Sequence, residues 1–508
     1  MLNTHGVSRD ISVDTGKTLL VSGYFANSGA GEIVTKYEKK GLGTMILTGD
    51  NQHTGGVIIT EGVLQVGNNT STGTLGPAND ISSGLPVPIV YLNNASLVIK
   101  RSDAYALDNN ISGTGSLTQA SSNVLTLTGN NTYTGATIMA SGDGAANKLI
   151  FQGGTIEYVG TGETSERGLT IADNGGEIKN TGTGALVFDN TVKIDFANTT
   201  GLNRTLTLSG NTDATTIENS FAPALFETES ASDHLLSKLV KNGTGLWVMA
   251  GSGAMLKDEA AVDVNAGVLG FAAGSLGRLL AVSSNDITLQ DTTTLRWLAG
   301  NTDDLSARLH VANGSTVSLD FRATTTTTFN ASMIFNGAGS ATVNKVGTGA
   351  LTLAARNDFS GIFNVNAGLV TVTHNTALGD GTHVAVNVNN TGTLVVNSNV
   401  DNTVHVTSGG TLGGDGSVAN VTLDTGAVLS PGNSPGTLTM TNLVASSGST
   451  MNWQVHNAAG VAGTGWDKIV VTNNFDLSAI SNSSGRILIN VTSLHLFADT
   501  LPGDAIHL

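Results

Sequence analysis

Short runs of alternating apolar and polar residues recur along the whole chain. Leu125 and Leu127 flank a threonine, and Leu351 and Leu353 show the same alternation. Because successive side chains of a β-strand point to opposite faces, this period of two predicts strands with one face directed inward. Glycine and asparagine separate the runs, and both residues suit corners between strands. The pattern closest to a helix covers residues 233–240, so the sequence predicts an essentially all-β protein.

A unit of roughly 27 residues repeats along the chain, a period typical of solenoids and other repeat architectures. The clearest copy covers residues 40–66 and begins with the letters KGLGTMILTGDN. The copies are irregularly spaced, which a closed propeller tolerates poorly but a stack of coils absorbs as loops on its side. The sequence therefore favours a parallel β-helix over a sandwich or a propeller. Further copies cover 113–135, 241–269 and 345–372, with partial copies at 182–188 and 392–396.

Composition narrows the function classes. Acidic residues outnumber basic ones by 39 to 23, and no cluster of four or more lysines or arginines occurs, so nucleic acid is not an expected partner. Cysteine is absent, which excludes disulfides, thiolate catalysis and the common zinc sites. Charged residues are only 12% of the chain, about half the usual share. A surface covered mainly by threonine, serine, asparagine and glycine suits an extracellular solenoid.

Two sequence features invite an enzymatic interpretation. Residues 432–436 match the Gly-x-Ser-x-Gly pattern of hydrolases, but a proline follows Ser434 directly and no helix pattern comes after it, so a turn is expected. Paired carboxylates, as in polysaccharide-cleaving enzymes, occur at Asp303 and Asp304 near Arg308 and at Asp258 and Glu259 near Lys257. Adjacent residues on a strand point to opposite faces, so these pairs are interpreted as solvated loop charges.

The sequence also contains few motifs that would indicate a bound metal or ligand. Residues 413–416 (GGDG) resemble one calcium-binding turn, but the pattern occurs once, and a tight turn is predicted. The four tryptophans lie in apolar runs and are expected to pack in the core or at its ends. The ten histidines show no metal-binding spacing. The sequence therefore predicts no catalytic, cofactor or metal residue.

The repeat is similar to a known one. The pattern Gly-x-Gly-x-Leu-x-Leu-x-Gly-x-Asn, followed by Thr-Gly-Gly and Gly-x-Leu-x-Val, resembles the autotransporter-associated β-strand repeat of passenger domains in Gram-negative bacteria. Residues 409–438 resemble the last coils of such passengers, and 466–477 resemble the strands that follow. The resemblance implies an all-β, right-handed parallel β-helix of the pectin-lyase-like type.

The resemblance also implies an organisation and a location. Residues 1–440 are expected to form the β-helix stalk with loop insertions, and 441–508 its end coils or cap. A C-terminal β-barrel translocator is expected outside this chain, and the chain is expected at the cell surface, anchored to the outer membrane through that barrel. No run of 18 apolar residues predicts a membrane span. The first residues lack the pattern of a secretion signal, which is therefore expected to have been removed or to lie in a longer protein.

Three functions stay open. The first is a non-enzymatic adhesin that binds a host or bacterial surface receptor, a glycan or a matrix. Its contacts would come from the side loops 67–88 and 211–233, where the repeat is interrupted. The second is a polysaccharide-active lyase or hydrolase, which needs carboxylates from neighbouring coils to converge in a groove. The third is an inert structural spacer.

Overall fold

The computed structural model describes most of the chain as short strands and tight corners. Its described residues are 2–3, 9–26, 36–76, 89–121, 125–127, 133, 137–139, 148–151, 155–158, 160–166, 168–171, 175–190, 194–196, 204–225, 236–251, 260–277, 286–336, 340–358, 360–379, 384–480 and 485–494.

The chain divides into two compact units. The first comprises residues 1–263 and 267–285, and the second comprises 264–266 and 286–508. Residue 440, where the sequence predicts a change from stalk to end coils, lies within a strand of the second unit. That predicted change of domain stays a prediction.

Strands β1 to β28 belong to the first unit, except for Val264 at the end of β27, which belongs to the second. In chain order they are Leu2–Asn3, Arg9–Ser12, Thr18–Val21, Phe25–Ala26, Tyr37–Lys40, Thr44–Leu47, Val57–Ile59, Val63–Thr70, Ile89–Leu92, Ser96–Arg101, Tyr105–Leu107, Asn110–Gly113, Ser116–Gln119, Leu125–Leu127, Thr137–Met139, Lys148–Phe151, Thr155–Tyr158, Glu163–Ser165, Gly168–Ile171, Gly176–Asn180, Leu186–Phe188, Asp195–Phe196, Thr205–Gly210, Glu218–Phe221, Lys238–Lys241, Leu246–Met249, Ala261–Val264 and Gly267–Phe271.

Strands β29 to β46 belong to the second unit. In chain order they are Ile287–Leu289, Thr292–Trp297, Leu309–Ala312, Thr316–Phe321, Thr326–Phe329, Ile334–Asn336, Ala341–Val346, Ala350–Leu353, Gly361–Val372, Val384–Val396, Asn399–Val406, Thr411–Gly414, Ser417–Leu423, Val428–Pro431, Thr437–Ala445, Thr450–Val455, Lys468–Asp476 and Leu488–Ser493.

Helix is almost absent from the described residues. They contain one 3-10 turn, Ser306–Arg308, and no α-helix. The described end of the segment closest to a helical pattern, 233–240, forms strand β25. The expectation of an essentially all-β chain is confirmed.

Strands that pair are one coil apart in sequence. In the first unit β3, β6, β8, β10, β13 and β15 follow one another in a sheet, and β2, β5, β7, β9 and β12 form a second. In the second unit β35, β37, β38, β39, β41, β43 and β45 stack in the same way. These pairings are parallel, so each coil lies on the one before. The predicted parallel β-helix is confirmed.

Columns of inward side chains fill the coils. Along the second unit one column places an apolar residue on six successive coils, and each member is at most 1% exposed. Inward and outward positions alternate strictly in β35, as the period of two predicts. Burial of these columns is the main stabilising contribution, because apolar area removed from water contributes about 25 cal/mol per Å². The column consists of Val343, Phe363, Val386, Val404, Val421 and Leu443.

Glycine corners bring the backbone of one coil against that of the next. A Cβ at Gly410 would lie 2.2 Å from the Val388 carbonyl oxygen. Gly347 combines a close approach, 2.2 Å from the Phe321 oxygen, with a φ of +74°. Both positions require glycine, because any side chain would collide with the coil below.

Candidate binding surface

The described part of the first predicted loop, 67–76, includes the end of strand β8 and exposes a run of small polar side chains. Residues 68–72 are exposed, whereas Gly73 and Leu75 are buried. The Asp50 carboxylate accepts a hydrogen bond from the Gly73 amide at 2.9 Å. The loop is therefore an ordered outward corner with a buried base. The remainder of the predicted loop, 77–88, lies outside the described residues.

Arg101 fixes this loop from the next coil. Its guanidinium is 7% exposed and donates to the carbonyl oxygens of Gly73 at 2.6 Å and Ser71 at 2.5 Å. The same group makes a two-pronged ion pair with Asp103, at 2.9 and 2.8 Å, and lies 4.6 Å from the centre of the Tyr105 ring. The Arg101 hydrogen bond and charge lower the pKa of the Asp103 carboxyl. One buried cation thus sets the loop conformation.

Replacing Arg101 by methionine is expected to free this loop. The carbonyl oxygens of Ser71 and Gly73 lose their donors, which costs about 2 kcal/mol of local stability. Faster amide hydrogen exchange and faster proteolysis across 67–76 measure the effect. Lys100→Met, on the outward side of the same strand, is the matched control. Equal exchange in the two variants would contradict the role given to Arg101.

The second predicted loop, 211–233, is described as far as residue 225. Asp213 accepts hydrogen bonds from the Thr215 amide at 2.9 Å, the Thr215 hydroxyl at 2.7 Å and the Thr216 hydroxyl at 2.9 Å. These hydrogen bonds lower the pKa of the Asp213 carboxyl. Asn211, Thr215 and Glu218 are exposed around this turn. The described part is therefore a compact polar corner, and 226–233 lie outside the described residues.

A buried lysine characterises three of the repeats. Lys39 is 2% exposed, and its Nζ donates to the carbonyl oxygens of Lys40 at 3.0 Å, Gly41 at 2.6 Å and Glu61 at 3.0 Å. Lys345, which is fully buried, donates to Gly347 at 2.8 Å, Gly349 at 2.5 Å and Ala367 at 2.7 Å. Each ammonium joins its own glycine corner to the corner that follows, so it holds the two halves of the repeat together.

Lys241 occupies the equivalent place in a third copy. It is fully buried and donates to the carbonyl oxygens of Asn242 at 2.8 Å and Gly243 at 2.7 Å. Burial lowers the pKa of Lys241 to about 7 and that of Lys345 to about 8. For Lys345 the negative charge of Asp320 acts in the opposite sense and raises the pKa.

Three segments of the chain match a known family of repeats. Residues 38–66, 117–142 and 343–372 match the family described as the passenger-associated-transport-repeat. Two of these segments contain the buried lysines at 39 and 345. The chain is also 26% identical over 434 residues to the protein named "Adhesin BmaC autotransporter" from Brucella suis biovar 1 (strain 1330).

The chain thus carries passenger-associated-transport repeats and is similar to an autotransporter adhesin. The alignment covers 71% of the chain but only 12% of the relative, so the chain spans about an eighth of that relative's length. No helix within the described residues is long and apolar enough to cross a membrane.

The register of the repeat differs from the one chosen from sequence. The sequence starts the first copy at Lys40, but the residue that matches Lys241 and Lys345 is Lys39. Lys40 points outward and pairs with Asp10 at 2.8 Å. In the copy at 113–135 the same position is occupied by Ile111, which is fully buried. An apolar side chain therefore fills the place of the lysine in one repeat of the chain.

A buried histidine is a feature that the sequence did not single out. His53 is 2% exposed, with its ring 4.6 Å from that of Tyr37 and 6.3 Å from that of Phe25. Neither ring nitrogen of His53 has a hydrogen-bond partner. Burial lowers its pKa to about 4. A cavity of about 10 Å³, the size of one water molecule, lies beside it.

The serine of the hydrolase-like pattern lies in an exposed corner. Asp415 accepts hydrogen bonds from the Asn433 and Thr437 amides at 3.3 and 3.1 Å. Asp467 is fully buried and accepts one from Gly436 at 2.9 Å, and burial raises the pKa of its carboxyl. These carboxylates hold the backbone of the corner. Asp415, the aspartate of the calcium-like turn, thus uses a carboxylate oxygen to fix a neighbouring coil.

The predicted carboxylate pair does not form a shared site. Asp304 lies just before the 3-10 turn and accepts hydrogen bonds from the Ser306 amide at 3.0 Å and hydroxyl at 2.6 Å. Its other oxygen accepts from the Asn330 amide at 2.9 Å. Asp303 contributes its backbone oxygen to the Trp297 indole at 3.0 Å. Asp304 is exposed and lies outside any strand, in agreement with the interpretation as a loop charge, and its hydrogen bonds also join two coils. The second pair, Asp258 and Glu259, lies outside the described residues.

The four tryptophans lie in the core or in the last coils. Trp247 and Trp297 are fully buried, as expected of core residues, and Trp297 stacks on Phe321 at 4.5 Å. Trp453 and Trp466 are half-buried in the last coils. Within the described ranges no three histidine or carboxylate side chains come together as a metal site.

Proposed function

We propose that this chain acts as a non-enzymatic adhesin, in which coils carry binding loops outward from the cell. It is attached to the outer membrane through a β-barrel translocator outside this chain. The partner is a receptor, glycan or matrix on a host or bacterial surface.

The observation that carries the proposal is the pair of ordered outward corners, 67–76 and 211–218. Both present exposed polar side chains while their bases are fixed by Arg101 and Asp213. A fixed loop binds at lower entropic cost than a mobile one. The name of the relative, an adhesin, supports the same function. The carboxylates Asp304 and Asp467 support a non-enzymatic role, since both are occupied with backbone amides.

Alanine replacement of exposed loop side chains tests the proposal. One variant changes Asn68, Thr70, Ser71 and Thr72, and a second changes Asn211, Thr215, Thr216 and Glu218. Adhesion of beads coated with the full 508-residue chain is measured on cultured epithelial monolayers and on the matrix that such cells deposit. At least one loop variant is expected to lose about tenfold in bead binding, as truncation of central contact residues does.

The control changes four outward threonines of the strands, Thr352, Thr371, Thr393 and Thr411, and is expected to bind like the unaltered chain. Unaltered binding of both loop variants would contradict the proposal and favour an inert spacer. Release of new sugar ends from neutral or acidic polysaccharides by the unaltered chain would favour the lyase or hydrolase alternative.

A further inference from the structure

Hydrogen-bonded amides form two ladders on the outer face of strands β35, β37 and β38. The Asn364 amide nitrogen donates to the Asn344 side-chain oxygen at 2.8 Å, and Asn387 donates to Asn364 at 2.8 Å. Beside this ladder Asn389 donates to Asn366 at 2.9 Å. Register pairs Asn344 with Asn364 and Asn364 with Asn387. The ladders therefore follow the stacking direction of the coils within the second unit.

Each ladder member keeps hydrogen-bonding capacity that the ladder does not use. A side-chain amide has two N–H donors and an oxygen with two lone pairs. Asn364 uses one donor toward Asn344 and one lone pair toward Asn387. One N–H and one lone pair remain, on a side chain that is partly exposed. The ladder thus presents a donor and an acceptor on each coil, repeated at the strand spacing of about 4.8 Å.

The ladders also fix the direction in which these groups point. A free asparagine loses rotamer entropy when it binds a ligand, and the ladder bonds have already restricted that freedom. The third coil extends the pattern, because Thr407 donates through its hydroxyl to the Asn389 oxygen at 3.1 Å. A regular ligand meets preorganised groups along several coils.

The outward side chains of β35, β37 and β38 are uncharged, although the chain carries a net charge of −16. On the next coil His405, the register partner of Asn387, pairs with Asp424 at 2.9 Å. The outward positions beside the ladders are Thr342, Ile362 and Ala385. Lys345, the charged residue on β35, points inward to its carbonyl oxygens. A polyanion would form no ion pair with these side chains and would still have to give up hydration of its charges on binding. A neutral ligand avoids that cost. The chemistry suits a polymer with a regular series of hydroxyl groups.

We infer that this amide-ladder face, Asn344, Asn364, Asn366, Asn387 and Asn389, binds a neutral, hydroxyl-rich polysaccharide chain. The polymer lies along the ladders, with sugar hydroxyls donating to the unused lone pairs and accepting from the unused N–H groups. This goes beyond the proposed function, because it uses a different surface and does not depend on the loops at 67–76 and 211–218.

Binding of the full chain to particulate β-1,4-glucan, particulate chitin and soluble dextran tests the inference, with polygalacturonate as an anionic comparator. Two double variants remove the ladders, Asn364→Ala/Asn387→Ala and Asn366→Ala/Asn389→Ala. The matched control is Thr352→Ala/Thr371→Ala, at outward positions of the same unit. At least one neutral polysaccharide is expected to bind the unaltered chain and the control, with about tenfold weaker binding by the ladder variants.

Asn364→Thr/Asn387→Thr guards against loss of folding, because threonine suits strands yet lacks the amide. Its thermal midpoint and circular dichroism are compared with those of the control, and it is expected to bind as weakly as the alanine variant. Absence of binding to all three neutral polymers, stronger binding to polygalacturonate, or equal binding by folded ladder variants would overturn the inference. The loop variants are expected to keep full polysaccharide binding, so failure of the adhesin proposal is distinguishable.

Discussion

Lys39→Met is expected to lower the local stability of the first repeat by about 3 kcal/mol, whereas Lys40→Met leaves it nearly unchanged. Methionine fills a similar volume but donates no hydrogen bond, so the carbonyl oxygens of Gly41 and Glu61 lose this donor, whereas that of Lys40 keeps the Val13 amide at 3.0 Å. Each such loss costs about 1–3 kcal/mol, partly offset because a buried ammonium no longer has to be desolvated. Lys40 is a strict control, since it is the next residue and carries the same charge.

Native-state hydrogen exchange at the amides of β5 to β8 measures this effect. A local loss of about 3 kcal/mol speeds exchange by about a hundredfold if the repeat opens as a unit. Global melting is less informative, because repeat arrays depart from two-state behaviour. Similar exchange rates in the two variants would show that the ammonium does not hold the repeat together.

Acidification is expected to destabilise the coils around His53. The folded-state pKa of about 4 lies below the ordinary value of 6.5. The stabilising contribution of the neutral ring is therefore complete above pH 6.5 and is lost as the pH falls from 6.5 to 4. A shift of this size corresponds to about 3 kcal/mol. Tyr37, Glu38 and Lys39 are the titratable neighbours that line the same cavity.

Hydrogen exchange of β5 to β8 at pH 7 and at pH 4.5 measures this dependence, after correction for the intrinsic effect of pH on exchange. His53→Phe keeps a ring among Phe25 and Tyr37 but cannot be protonated, so its coils are expected to lose less stability on acidification. His374→Phe, at an exposed histidine, is the control and should behave like the unaltered chain. An undiminished acid effect in His53→Phe would assign the destabilisation to other groups.

The all-β fold and its parallel coils were predictable because alternation and glycine corners are local signals. The same alternation also indicates which lysine of the first repeat points inward. Tyr37 and Lys39 share one face and Glu38 and Lys40 share the other, and an aromatic residue marks the inward face. Lysine is ordinarily an outward residue, so residue type alone argues against an inward Lys39. Only the carbonyl oxygens of two glycine corners make an inward lysine favourable.

Site chemistry was less predictable, because it depends on which residues meet across coils of unequal length. Asp304 and Asn330 are 26 positions apart, and Arg101 and Ser71 are 30 positions apart. Asn364 and Asn344 are 20 apart. No fixed spacing links these pairs, because side loops change the length of each coil. The two candidate loops were predictable because they interrupt the sequence repeat. The hydrogen bonds and ion pairs that order them were not predictable.

The alternation of inward and outward residues separates two kinds of evolutionary constraint. A substitution inside the column that contains Phe363 and Val386 alters packing against two neighbouring coils at once. A substitution at a neighbouring outward position, such as Ile362 or Ala385, changes the exposed surface and leaves the packing of the interior intact. The exterior of the coils can therefore change under selection while the scaffold inside is retained.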